Sequence, residues 1–146
     1  MTRSEKAEHL MMQEEFSCSQ AVLEVFCDDF GADLVTARKV AALFGGGMKH
    51  GGMCGVVTGA LMVLGLKYGQ VEPMDVATKK ASAPIAREFI KRFEEKGHAL
   101  GCEALLGVNT STPEGAAYAS EHKLHRKICV GLIEETVEIL EDMLGL

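Results

Sequence analysis

Between Met53 and Leu66 the chain runs fourteen residues without a charge, and Lys67-Tyr68 closes the run. Crossing a bilayer takes roughly 20 apolar residues, so no membrane span is read here. A helix that is apolar on every side has no face to offer water and must be wrapped by others. The sequence therefore predicts a central helix over about Cys54 to Leu66. Just before it, Gly45-Gly46-Gly47-Met48-Lys49-His50-Gly51-Gly52 holds five glycines in eight residues. Each glycine loses the most backbone entropy on ordering, so this segment is a loop. It either takes positive φ angles or passes very close to something.

The cover for the central helix is itself helical, since strand signals are weak and the 3.6-residue period is strong throughout. A first helix spans about Ser4 to Gln13, with Ser4 as its cap and Ala7, Leu10 and Met11 on one side. Ser17 caps a second, which carries Cys18, Val22, Val25 and Phe26 inwards and ends near Phe30 before Gly31. Asp33 caps a third, through Phe44. Pro73 and Asp75 mark the next start, and that helix runs to Glu95 or Lys96; Pro84 inside it predicts a break or kink near Ala81 to Ala83. A short turn follows at Gly101 to Leu106, closed by Gly107. Thr112-Pro113-Glu114 opens another helix. The last covers about His125 to Leu144, with Cys129, Leu132, Ile133, Val137, Leu140 and Leu144 inwards and its acids on a solvated face. The expected architecture is a compact all-α bundle of five to seven helices. Residues 1–146 form a single helical domain, with the Gly-rich loop before the central helix.

A net charge of −6, with no Lys/Arg-rich stretch beyond short pairs, leaves no basic face for nucleic acid. The opening residues lack a basic stretch followed by an apolar core, so no secretory signal is read and a cytoplasmic protein is expected. In that compartment five widely spaced cysteines are not a disulfide framework. There is no C-x-x-C, no haem attachment motif, no Walker loop, no G-x-S-x-G and no H-E-x-x-H.

What stands out is where the cysteines fall. Cys18, Cys54, Cys102 and Cys129 each lie at or near a predicted helix start, where free amides and the helix dipole favour a thiolate. Any one cysteine could equally be a small buried hydrophobe. Four at the same kind of place suggest a site, provided the starts converge at one end of the bundle. Cys27 lies deep in the second helix and is assigned to packing. His50, His98 and His125 each precede one of these cysteines by four residues, an interval that on a helix shares a face. Each could ligate a metal, steady a thiolate as imidazolium, or simply face solvent. Gly55 and Gly59 leave a smooth groove on the central helix. It suits close approach of another helix, contact with a cofactor, or a dimer contact.

With these residues laid out, the chain resembles the C-GCAxxG-C-C family of redox-active proteins, defined by four cysteines and a Cys-Gly-Ala-x-x-Gly motif. The matching positions are Cys18 in Phe16-Ser17-Cys18-Ser19-Gln20-Ala21-Val22, then Cys54-Gly55-Val56-Val57-Thr58-Gly59, then Cys102 and Cys129. They span about residues 15 to 140. Val56 stands where the motif has alanine, which adds bulk beside Cys54 and removes no reactive group. The resemblance implies a cysteine-based redox or iron–sulfur role.

Three readings follow. In the first, Cys18, Cys54, Cys102 and Cys129 hold a [2Fe–2S] or [4Fe–4S] cluster, or a zinc, and an electron-transfer partner is implied. In the second, no metal is bound; two of the four cycle through a disulfide with a thiol substrate, and Cys54 is the attacker because the glycine loop gives access. In the third, the bundle binds or supports something else and its cysteines are incidental.

Overall fold

The computed structural model describes residues 1–146 as an all-α fold. Its α-helices are α1 (Arg3–Met12), α2 (Cys18–Glu24), α3 (Leu34–Ala41), α4 (Gly55–Tyr68), α5 (Val76–Glu95), α6 (Cys102–Leu106), α7 (Pro113–Glu121) and α8 (Val130–Leu144). The count reaches eight once the single-turn α6 is included. No helix is long and apolar enough to cross a membrane.

Helix starts follow the capping residues. Thr2, two residues earlier than the expected Ser4, closes a capping box with Glu5. Ser17 does the same with Gln20, Asp33 receives the Thr36 N–H, and Thr112 receives that of Gly115 ahead of Pro113. The second helix is shorter than its apolar pattern: α2 stops at Glu24, and the chain reaches left-handed Gly31 through a tight turn at Asp28–Phe30.

α4 is the central helix. α2, α5 and α8 all pack on it, and Val56, Val57, Ala60 and Val63 are wholly buried. Phe26, Phe89, Phe93, Ile133 and Leu140 fill the space around it as one continuous core. Val56 belongs to that core, so the larger side chain is absorbed by packing.

Of the break or kink expected at Pro84, the break does not occur. α5 runs unbroken from Val76 to Glu95 through Pro84. Pro84 lies on the exposed side, and so does Lys80, whose carbonyl loses its helical donor. On a face open to solvent that carbonyl has access to water, so the missing bond does not end the helix.

Candidate redox site

Four cysteine-bearing segments meet at one end of the bundle, brought there by three different local devices. Cys18 is the first residue of α2. Its sulfur rests on α4, because a Cβ added to Gly55 would fall 2.3 Å from it. One turn on, a Cβ at Gly59 would lie 2.9 Å from the Ser19 carbonyl oxygen and 3.2 Å from the Val22 Cβ. α2 therefore occupies the groove over both glycines, and their contribution to the site is the close approach itself.

Cys54 is the residue before α4, and Cys102 is the first of α6. A short antiparallel pairing sets them side by side. Met53 bridges Gly101, the Cys54 N–H donates to the Leu100 carbonyl at 2.7 Å, and the Cys102 N–H donates to the Gly52 carbonyl at 2.6 Å. This is the only extended pairing in the fold, and no spacing in the sequence announces it.

The glycine loop makes room for that pairing. Gly46, Gly47, Met48 and Lys49 all have φ near +60°, a left-handed turn entered from Gly46. A Cβ at Gly47 would stand 2.4 Å from the Gly52 nitrogen and 2.9 Å from the Cys102 Cβ. Both sequence expectations for the loop, positive φ and close approach, hold.

Cys129 arrives differently. His125–Cys129 form a widened turn, with the Val130 N–H reaching back five residues to the His125 carbonyl. The backbone is right-handed from Leu124 through Val130. Cys129 is therefore not at a free helix start; it sits where the wide turn passes into α8. Such π-type turns recur at functional sites.

The electrostatics tie the four together. Burial pushes the Cys54 thiol from an ordinary 9.0 up to about 12, and negative charge on Cys18 and Cys102 adds to the rise. Burial raises Cys129 as well, helped by Cys18, Cys54 and Cys102. Cys102 is raised by burial and then by Cys18, while the Thr110 hydroxyl pulls it down. Burial raises Cys18 against the backbone amides, of Gly46, Ser19 and Gly55 among others, which favour its thiolate. Every pair among these four is thus within electrostatic reach. Cys27 is not part of the set: after burial it responds to Glu24 and Asp28, and its thiol donates to the Leu23 carbonyl at 3.4 Å.

The expected thiolate bias is therefore overturned. Amides at the helix starts do face Cys18 and Cys54, but loss of water outweighs them at Cys18, and loss of water with repulsion from Cys18 and Cys102 outweighs them at Cys54. No three His, Cys, Asp or Glu side chains are set around one point as ligands of a single metal ion.

A cleft of about 1070 Å³ opens over the site, lined by Cys18, Cys102 and Cys129. Cys54 does not line it and is only 6% exposed, so the glycine loop does not give a substrate access to Cys54. The histidines divide. His98 pairs with Glu135 of α8 and packs on Phe93, with ring centres 5.1 Å apart. His50 is exposed, its ring over Gly52. His125 lines the cleft.

Thr110, the Gly46 amide and the cations around the cleft were not singled out from sequence. Only the density of glycines hinted that residues 45–52 touch the site.

Comparison with known proteins gives one result. No match to the chain was found among curated proteins or among solved structures. A family model described as "Putative redox-active protein (C_GCAxxG_C_C)" matches residues 16–143. With its four cysteines gathered at one end and nearly its whole length matched, the chain belongs to the C_GCAxxG_C_C family.

Proposed function

We propose that Cys18, Cys54, Cys102 and Cys129 form the electron-handling centre of this protein by holding an iron–sulfur cluster or another soft metal. The observation that carries this reading is the gathering of the four cysteines at one end of the bundle, three of them lining one cleft and each within electrostatic reach of the others, with Cys27 left outside. The chemistry of the donor set suits such a group, since four sulfurs lie within electrostatic reach of one another, and closing them around a metal would require the thiols to move from positions that are not set around one point. Positive charge among them would remove both the repulsion and the cost of burying thiolates. When bound, a [2Fe–2S] or [4Fe–4S] cluster supplies electron transfer, whereas zinc on the same sulfurs would be structural.

The chain's own groups have defined parts in this. The Gly46, Ser19 and Gly55 amides steady negative charge on Cys18, and those of Val56 and Val57 do so on Cys54. Thr110 donates to Cys102. The α4 core behind them keeps water away from the inner side. An electron-transfer partner would approach across the cleft, and a reducing compartment such as the cytoplasm suits the free thiols.

Protein purified without oxygen should contain iron and absorb visible light. Serine at Cys18, Cys54, Cys102 or Cys129 should abolish both, and Cys27→Ser should leave them intact. Colourless, iron-free protein rejects the cluster, and the absence of any other bound metal rejects the whole reading.

A second reading draws support from the cleft, which three of the four thiols line. In a metal-free cycle Cys102, assisted by Thr110, would attack a substrate disulfide and release one substrate thiol. Cys18 or Cys129 would then displace the second, leaving a protein disulfide and two electrons on the substrate. Alkylation before and after reductant tests this; an unchanged number of reactive thiols rejects it.

A further inference from the structure

The chain carries a net charge of −6, yet the outer wall of the cleft is basic. Lys49, Lys123 and Arg126 line it, and Glu15 is the only acid that does. Arg126 is held by Glu8 of α1 at 2.5 Å. Lys49 and Lys123 are exposed and form no ion pair with any carboxylate.

Two further observations make this rim more than a scatter of surface charge. Glu15, Lys49 and Lys123 have φ of 60°, 64° and 52°, three of the five non-glycine residues of the chain held in the left-handed region. Such backbone gathers at functional sites when the surrounding structure enforces it. The cations also stand outside the thiols: Cys102 is buried and Cys18 and Cys129 are half-buried. Met11, Met12 and Phe16 add an apolar part to the lining. The volume, about 1070 Å³, lies just above the range of about 300–1,000 Å³ common for small-molecule sites.

We infer that this cleft binds a small anionic thiol, its carboxylate or phosphate groups held by Lys49 and Lys123 and its sulfur turned towards Cys18, Cys102 and Cys129. The choice of a thiol rests on the redox reading above, because a thiol can share a metal with those cysteines, or is the product released when they reduce a substrate disulfide and are themselves left as a disulfide. The preference for negative charge rests on the rim alone.

Equilibrium binding to anaerobically prepared protein tests this, with reduced glutathione as the carboxylate-bearing probe, coenzyme A as the phosphate-bearing probe and cysteamine as the cationic control. At least one anionic probe should bind saturably, cysteamine should not, and the difference between the two anions identifies the anchoring group. The double variant Lys49→Gln/Lys123→Gln should bind about tenfold more weakly, and added salt should weaken the wild type in the same direction. Failure of both anionic probes to bind, or equal binding by the double variant, overturns the proposal. If instead the redox reading is wrong, the protein is metal-free and its thiols inert, while the charge preference and its loss in the double variant persist.

Discussion

At the scale of single residues, the centre depends on absences of side chain as much as on sulfur. Gly55 is the clearest case, since any Cβ there would fall inside the Cys18 sulfur. Gly55→Ala should destabilise the fold by about 1–3 kcal/mol in denaturant titrations, the usual cost of overpacking. It should also displace Cys18 and lower the metal or reactive-thiol content. The thiols themselves predict a pH dependence. Cys54 is raised from 9.0 to about 12 in the folded chain, and Cys18, Cys102 and Cys129 are raised too. Above the ordinary thiol value the unfolded chain releases protons that the folded one keeps, so the unfolded state binds fewer and stability falls with rising pH. The contribution is intact below 9.0 and lost towards 12. Metal-free wild type should therefore lose melting temperature across that window more steeply than a variant with all four cysteines changed to serine. Cys18, Cys54 and Cys102 were legible in sequence because each sits next to a helix-start signal: Ser17 before Cys18, the glycine run before Cys54, Gly101 before Cys102; Cys129 has no such signal in the structure. Their protonation was not legible, because burial and mutual distance are properties of the assembled chain.

At the scale of elements, capping residues set most boundaries and packing set the rest. The Ser17–Gln20 capping box starts α2, whereas nothing local marks its early end at Glu24. There the carboxylate is taken by Arg38 of α3 through two bonds of 2.8 Å, a contact between segments that a periodic pattern cannot announce. Pro84 shows the opposite error. Its local rule predicts an interruption, but the neighbouring turns are held by Phe89 and Phe93 in the core and by solvent outside, and α5 continues. Because the helix bears the proline without gaining from it, Pro84→Ala should raise stability by about 1–3 kcal/mol, read as a higher melting temperature. The widened turn before α8 was likewise invisible in the 3.6-residue pattern. His125 and Cys129 look like one face of an ordinary helix, and only the backbone reveals the reach back over five residues.

At the scale of the molecule, the all-α bundle around α4 followed from one apolar run and its glycine preface, while the centre needed chain segments far apart in sequence. The pairing of Met53 with Gly101 is what joins two of them. It has a consequence for how the protein can be cut and rebuilt. Residues 54 to 100 leave and return through one clamp, so α4 and α5 form a closed loop with its bend at Gln70 to Met74, where every side chain is exposed. A circular permutant opened between Val71 and Glu72 should fold and keep the same metal content or thiol reactivity as the parent, whereas one opened between Gly52 and Met53 should lose both. Evolution or a protein engineer could thus hang cargo from that distal bend and leave the chemistry at the base of the clamp undisturbed.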